Sequence, residues 1–438
     1  MKSPRTIPAG MVPALLLSLV FAAPACAVVP PDKAAAIFGE AKTICERDHG
    51  ALWGHSLCGP ILLVDPDDRS VVANQADTAG ALKPAGAVFV GVLPKTDNIA
   101  NTPTLWSGVR WTELVWQMLP QEPDQRHAML AHELFHRIQP ELPIARSDGG
   151  DNAHLDTLEG RYLLQLEWRA LAKALQTQES TARRAAVADA LLFRSQRYAG
   201  FPDAAANEGA LEANEGVAQY TGVRLGLTTP AARTAFAIDS LKPYTSDATF
   251  VRSFAYATGG AYGLLLDQAD PVWRGKLASG QRFDQLLRIA LRLPESDLAT
   301  VAVRASAYDD GTLRASEVKR DEAMKARATA QHAKFVDGPV LTLPMKHSNR
   351  QFNPQTLQPL DDLGTVYPTL RLVDDWGVLE VEDGALMAKD MKTTTVSAAG
   401  IDSSGLKGAG WRLTLKPAWT VRAGSRKGDF VVGLADAP

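Results

Sequence analysis

The chain has 438 residues, of which 46% are hydrophobic and 22% are charged, and its formal net charge is −3. This composition is typical of folded globular proteins and excludes an intrinsically disordered chain. The small net charge, without a long basic run, also excludes a typical nucleic-acid-binding protein. A chain of this length exceeds one ordinary hydrophobic core, so we expect two or three domains.

Residues 1–27 have the pattern of a secretory signal peptide. Lys2 and Arg5 supply a positive start, residues 11–23 are apolar, and Ala25-Cys26-Ala27 follows as a small-x-small cleavage site. The apolar run is too short for an ordinary transmembrane helix. We expect cleavage after this motif and a periplasmic or secreted protein without stable membrane insertion. The alternatives are an uncleaved anchor and a lipoprotein site at the cysteine.

Two cysteines, Cys45 and Cys58, follow the predicted cleavage site. An exported chain meets an oxidising compartment, so we expect a disulfide between them. Two separate buried thiols are the alternative. A cysteine-based zinc site is not expected because further Cys or His ligands at the usual spacing do not follow. His49 and His55, which lie between the cysteines, are interpreted as loop residues.

Residues 28–123 are predicted to form a β-rich N-terminal part. A short helix is expected first, over 34–45. Runs with β propensity between turn residues then predict strands at 60–64, 70–73, 87–92 and 109–116. Residues 109–116 alternate in part between polar and apolar side chains. The stretch 111–116 is either an edge strand that pairs with an extended peptide or an internal strand.

Residues 124–337 have helical periodicity. The predicted helices are 126–139, 156–176, 181–197, 207–225, 250–268, 283–292 and 321–335, the last of which is either an exposed helix or a linker. Short β-like runs then alternate with turns over 338–438 and predict an all-β domain. The sequence therefore predicts an α+β fold with a C-terminal β domain.

A metal-binding motif lies in the first strong helix. It reads His132-Glu133-Leu134-Phe135-His136. Residues four apart share one face of a helix, so the two histidines can present their imidazole nitrogens to one zinc ion. Glu133 lies beside that face, where it can take a proton from water. The flanking residues are apolar, and burying these polar groups is costly unless a partner such as a metal satisfies them.

A catalytic zinc site needs a third protein ligand. The stretch Asn214-Glu215-Gly216-Val217-Ala218, with Tyr220 two positions later, resembles the third-ligand helix of the gluzincin metallopeptidases. In that family an Asn-Glu-Gly-x-Ala stretch supplies a glutamate. The resemblance therefore implies that Glu215 is the third ligand of a Zn²⁺ site.

The spacing departs from that of the best-known gluzincins, in which the glutamate follows the second histidine more closely. Here 78 residues separate His136 from Glu215. The insert contains two predicted helices and is interpreted as a helical excursion before the ligand helix. Glu159 is the competing ligand, because it is nearer to the histidines in sequence.

Further acidic and aromatic residues are candidates for supporting roles at this site. Glu208 and Glu212 share a helix face with Glu215 and either orient the histidines or form a solvated acidic face. Gluzincins often add a tyrosine that donates to the oxyanion. Tyr256 is the first candidate and Tyr262 the second, although core packing explains either one.

The resemblance implies a zincin-like catalytic core, built from the N-terminal sheet and the helical part. It also implies hydrolysis of peptide or protein substrates with Glu133 as general base. The Gly-x-Met-Glu-Asn motif of the aminopeptidase subgroup is not found. The competing interpretations are a catalytically silent zinc-binding protein and a non-enzymatic exported binding protein.

Overall fold

The structure is a computed structural model that describes residues 29–145, 150–242, 249–353 and 356–435. The predicted signal peptide, residues 1–27, lies outside this part of the chain. The helices over the described residues are α1 (Pro31–Asp48), α2 (Pro123–Ile138), α3 (Leu158–Gln176), α4 (Ser180–Gly200), α5 (Ala204–Leu211), α6 (Val217–Thr221), α7 (Pro230–Ser240), α8 (Ser253–Ala269), α9 (Phe283–Ala290), α10 (Val301–Ala305) and α11 (Thr312–His332).

The strands fall into an N-terminal and a C-terminal group. The first group is β1 (Ile61–Val64), β2 (Ser70–Ala73), β3 (Lys83–Ala85), β4 (Val88–Val92), β5 (Thr102–Trp106) and β6 (Val109–Val115). The second is β7 (Val340–Pro344), β8 (Asn349–Gln351), β9 (Gln358–Leu360), β10 (Gly364–Tyr367), β11 (Leu370–Asp374), β12 (Gly377–Val381), β13 (Ala385–Ala388), β14 (Thr393–Ser397), β15 (Lys407–Gly408), β16 (Trp411–Leu415), β17 (Trp419–Ala423) and β18 (Phe430–Leu434).

The chain divides into two compact units, each built from three segments. The first unit comprises the described parts of Met1–Gly149, Glu208–Lys242 and Ala255–Leu293. The second comprises those of Gly150–Asn207, Pro243–Phe254 and Pro294–Pro438. The domain boundaries expected at 123/124 and 337/338 stay predictions.

The first unit contains a six-stranded sheet with the strand order β3-β4-β2-β1-β6-β5. All four residues of β1 are buried, as expected for a strand covered on both faces. β1 pairs parallel with β6, where Leu63 lies opposite Leu114. Since β6 also pairs with β5, it is internal, and its interpretation as an edge strand is wrong. The edge beside it is β5.

Specific residues mark both ends of the helix α2. Pro123 occupies its first turn, where a missing N–H costs nothing, and the Glu122 side chain accepts a hydrogen bond from Gln125 N–H at 2.8 Å. Pro140 lies in the 3-10 turn that follows Ile138 and cannot continue an α-helix. The predicted helix over 126–139 is therefore present, with bounds shifted by a few residues.

The residues 204–226 form one helical segment that is interrupted by two π turns. The first turn is Glu212–Gly216, between α5 and α6, and the second is Gly222–Gly226, after α6. Gly226 lies against α2, so closely that an added Cβ would stand 2.6 Å from the backbone nitrogen of Ala128. Small residues thus allow this segment to approach the histidine helix.

The second unit joins a helical layer to the C-terminal strands. Its longest helices are α3, α4 and α11, and Glu167 of α3 forms buried ion pairs of 2.8 Å with Arg194 and Arg197 of α4. The strands form a seven-stranded sheet, β17-β18-β7-β14-β13-β10-β9, and a five-stranded sheet, β15-β16-β12-β11-β8. Leu341 of the larger sheet and Leu379 of the smaller one, together with Trp376 from the turn between β11 and β12, belong to one hydrophobic core.

The predicted α+β class with a C-terminal β domain is confirmed. The disulfide between Cys45 and Cys58 is also confirmed. Within the described ranges, no helix carries an apolar stretch long enough to cross a membrane.

Candidate metal centre

Two histidines project from one face of α2. His132 and His136 are four residues apart, so successive turns place their side chains on the same side of the helix. His132 is 5% exposed, and Leu134 and Phe135 beside it are buried. Imidazole nitrogens in such surroundings cost free energy unless each one has a partner.

The π turn Glu212–Gly216 carries the third side chain, Glu215. Its closing hydrogen bond runs from Val217 N–H to Glu212 O, five residues back rather than four. The extra residue in a π turn changes the direction in which side chains leave the helix, and such turns are frequent at functional sites. In this turn the buried Glu215 carboxylate reaches both histidines.

The three donor atoms form a compact triangle. The separations are 3.0 Å between the two histidine Nε2 atoms, 3.2 Å from His136 Nε2 to Glu215 Oε2, and 3.5 Å from His132 Nε2 to Glu215 Oε2. Ligand atoms about 2.05 Å from a tetrahedral zinc ion lie about 3.3 Å apart. The geometry therefore fits such an ion, and the described residues contain no second group of this kind.

Two glutamine side chains fix the orientation of the rings. Gln139 Oε1 lies 2.8 Å from His136 Nδ1, and Gln219 Oε1 lies 3.2 Å from His132 Nδ1. Because an amide oxygen only accepts, each Nδ1 must carry the proton. In the neutral rings both Nε2 lone pairs then point toward each other and toward the Glu215 carboxylate. A cation at the centre of the triangle would relieve this repulsion.

Gln139 also holds the π turn. Its amide nitrogen donates to the backbone oxygens of Ala213 and Asn214, at 3.1 Å each. These two bonds fix which end of the amide faces His136, and thereby fix the tautomer of that ring. A single buried side chain therefore joins the helix of the histidines to the turn that carries Glu215.

The convergence of these groups changes their pKa values. Burial raises the pKa of Glu215, but hydrogen bonds from His132 and His136 outweigh burial and hold the pKa well below its usual range. Burial lowers the pKa of His136, but the hydrogen bond and the charge of Glu215 outweigh it and raise the pKa overall. Both shifts have the same physical cause, the close contact between one carboxylate and two imidazoles.

Glu133 has the properties of a free base beside this triangle. It is buried, and its Oε2 atom has no hydrogen-bond partner. Burial raises the pKa of its carboxyl group, and the charges of His132 and His136 partly offset that rise. A buried carboxylate oxygen without a partner is costly, and Glu133 holds such an oxygen directly beside His132 in the chain.

Of the two candidate tyrosines, the structure brings Tyr256 to the centre. Its hydroxyl hydrogen-bonds the Glu215 carboxylate, and its ring stacks on that of His132 with centroids 5.6 Å apart. Tyr262 is fully buried and stacks on Phe283 instead. Tyr262 is therefore a core residue.

A cleft of about 830 Å³ opens beside the centre, within the size range of small-molecule and peptide sites. His132, Glu133 and Tyr256 line one wall. Residues that precede β5 and follow β6, among them Asn101 and Gln117, line another. Val115, the last residue of β6, also lines the cleft, so the carboxyl end of this strand lies beside the candidate centre.

The other acidic candidates lie elsewhere. Glu159 forms an ion pair with Arg314 and is not part of the metal-binding group. Glu208 and Glu212 are both buried, so the interpretation as a solvated acidic face is wrong. Glu212 accepts a hydrogen bond from Thr258 at 3.0 Å.

Gln139 and Gln219 were not among the residues predicted from the sequence. Both have a helical spacing that could have revealed them: Gln139 is three residues after His136, and Gln219 is four residues after Glu215. Trp53, which packs on Phe135 with ring centroids 5.1 Å apart, was not predicted either. No spacing rule predicts Trp53, because its loop reaches α2 through tertiary folding.

Comparisons with protein-family profiles, with curated proteins and with solved structures found no match to this chain. The resemblance to gluzincins therefore rests on the two short sequence motifs.

Proposed function

We propose that this chain is an exported zinc-dependent peptidase that hydrolyses peptide bonds with an activated water molecule. One observation carries the proposal. His132, His136 and Glu215 converge within 3.5 Å of one another. Glu133, one oxygen of which has no hydrogen-bond partner, lines the cleft beside them. Two imidazoles and one carboxylate are the donor set of many catalytic zinc sites.

When bound, zinc supplies a Lewis acid that polarises a carbonyl oxygen and acidifies water toward a pKa of about 7. Glu133 takes the proton of the attacking water and passes it to the leaving amine. Tyr256, whose hydroxyl is already beside Glu215, donates to the oxyanion that forms on the substrate. Gln139 and Gln219 keep both histidine rings in the tautomer that a metal requires.

Export is part of the proposal. The signal-like N-terminal segment and the Cys45–Cys58 disulfide support a periplasmic or secreted location, because disulfides persist in oxidising compartments. A periplasmic fraction that contains the protein without residues 1–27 would support this. Retention of the full-length chain in the cytoplasm would contradict it.

Elemental analysis is the first test of the metal. After dialysis against a weak chelator, we expect about one zinc per chain in the wild type and little in His136→Ala. Glu133→Gln is the matched variant, because it alters the neighbouring residue without removing a ligand, and it should keep its zinc. No zinc in the wild type would reject the proposal and favour a non-enzymatic binding protein.

Turnover is tested on the same samples with a mixture of synthetic peptides and mass spectrometry. We expect cleavage by the zinc-loaded wild type and a loss of at least about 100-fold in Glu133→Gln, because the general base is removed. Zinc binding without cleavage would favour the catalytically silent alternative. Full activity in Glu133→Gln would reject the assigned mechanism.

A further inference from the structure

The cleft beside Glu133 has a largely apolar wall. Ile99, Val115, Met118, Met129 and Phe236 contribute to its lining. They come from four different parts of the first unit, so the apolar surface is produced by the fold and not by one hydrophobic segment. Met118 is 60% exposed and adds apolar surface to this wall.

Two of these residues lie close to the proposed catalytic groups. Met129 is four residues before Glu133 on α2, and therefore lies on the same helix face. Phe236 lies on α7, is half-buried, and lines the same cleft as His132 and Tyr256. A substrate whose bond is held at Glu133 would place a neighbouring side chain against this surface.

The polar part of the lining is mainly neutral amide. Asn101, Gln117 and Gln125 are examples, and they can hydrogen-bond an extended peptide backbone without requiring a charged side chain. Among the described lining residues, no lysine or arginine is present to pair with an acidic substrate side chain. Burial of a substrate carboxylate without such a partner is costly.

We infer that the cleft selects peptides with an uncharged, apolar side chain of leucine or phenylalanine size beside the scissile bond, and that Met129 and Phe236 determine this selectivity. The inference rests on the proposed function for the identity of the bond. Apolar contact of this kind discriminates by roughly tenfold to a hundredfold between a large side chain and a small or charged one.

Binding is measured without turnover, so that an inactive protein does not hide the result. Zinc-loaded Glu133→Gln is titrated calorimetrically with four N-acetylated hexapeptide amides that differ only in a central leucine, phenylalanine, glycine or aspartate. We expect the leucine and phenylalanine peptides to bind at least about tenfold more tightly than the other two. Equal binding of all four within twofold would overturn the inference.

Phe236→Lys, added to the same protein, should abolish the leucine preference and strengthen binding of the aspartate peptide. Ile289→Lys is the matched control, since Ile289 is 54% exposed and does not belong to the cleft lining. It should keep the preference. Identical behaviour of the two lysine variants would also overturn the inference.

The wild type is then tested for cleavage of the same peptides. A leucine binding preference without cleavage would count against the proposed peptidase activity and leave the selectivity standing. Cleavage of all four peptides at equal rates would support the peptidase and reject the selectivity.

Discussion

At the scale of single residues, the candidate metal centre depends on the three donor side chains and also on the residues that hold them in place. Gln139 contacts His136 through its oxygen and the π turn through its nitrogen. Gln219 contacts His132 once, at 3.2 Å. The two glutamines thus have the same chemistry but different numbers of hydrogen-bond partners. Substituting each one separately therefore distinguishes the effect of orienting a histidine ring from the effect of also holding the π turn.

We predict that Gln139→Leu weakens zinc binding by about 10- to 100-fold, because the His136 tautomer and the π turn lose their common partner. Gln219→Leu should weaken binding less. Competition with a chromophoric chelator measures both affinities, and the absorption spectrum of cobalt-substituted protein reports ligand geometry. An unchanged affinity in Gln139→Leu would show that backbone packing alone holds the site.

Glu113 on β6 is fully buried and has one carboxylate oxygen without a hydrogen-bond partner. Burial raises the pKa of its carboxyl group, although hydrogen bonds from Thr104 and Ala100 oppose this. The folded protein therefore holds this proton more tightly than the unfolded chain. Its contribution to stability is lost as pH rises from the unfolded pKa, about 4.3, through the raised folded value.

Glu113→Gln should therefore melt at the same temperature as the wild type near pH 3.5, and a few degrees higher near pH 7. Calorimetry of chelator-treated protein across this range provides the measurement, with the exposed residue Glu295→Gln as the control. A difference in melting temperature that shrinks as pH rises would contradict the assigned direction.

At the scale of elements, the site requires two helical segments to approach closely. The second π turn, Gly222–Gly226, lies against the first turns of α2. Gly226 permits this contact because it has no Cβ to meet the backbone of Ala128. The position of Glu215 relative to the histidines therefore depends also on residues, such as Gly226, that are not donors themselves.

We predict that Gly226→Ala lowers the free energy of unfolding by about 1–3 kcal/mol, because the added Cβ forces the helices apart, and that zinc affinity falls with it. Gly39→Ala is the control. Gly39 lies in α1, where an added Cβ meets no atom within 4 Å, so the substitution should be neutral or slightly stabilising. Equal effects of the two substitutions on stability would refute the packing argument.

At the scale of the whole molecule, the chain passes between its two units more than once. Residues 150–207 belong to the second unit, and the ligand segment from Glu208 onward returns to the first. This excursion accounts for most of the 78 residues between His136 and Glu215. The long spacing therefore does not prevent the three donors from meeting.

The disulfide is a second long-range constraint, because it closes the loop that carries Trp53 onto α2. Trp53 Nε1 also donates to Thr221 Oγ1 at 3.0 Å. We predict that the double variant Cys45→Ala with Cys58→Ala loses about 3 kcal/mol of stability, the value expected for a loop of roughly 15 residues. Thermal unfolding of the variant and of reduced wild type should agree. A melting temperature equal to that of oxidised wild type would contradict this.

The sequence by itself determined the features that depend on local spacing. The four-residue interval places His132 and His136 on one helix face. Hydrophobic periodicity and residue propensities predicted most of the helices and the β-rich C-terminal region. The pairing of Cys45 with Cys58 was also predictable, since only two cysteines follow the predicted signal peptide. In each case the governing interactions lie within one element or follow from residue type and number.

Only the tertiary structure decided which distant residues meet. It brought Glu215 rather than Glu159 to the histidines, placed Tyr256 at the centre and Tyr262 in the core, and made β6 an internal strand. These outcomes depend on strand order, on π turns and on close helix packing. Such features arise from interactions between segments far apart in the chain, and periodicity along the sequence carries no information about them.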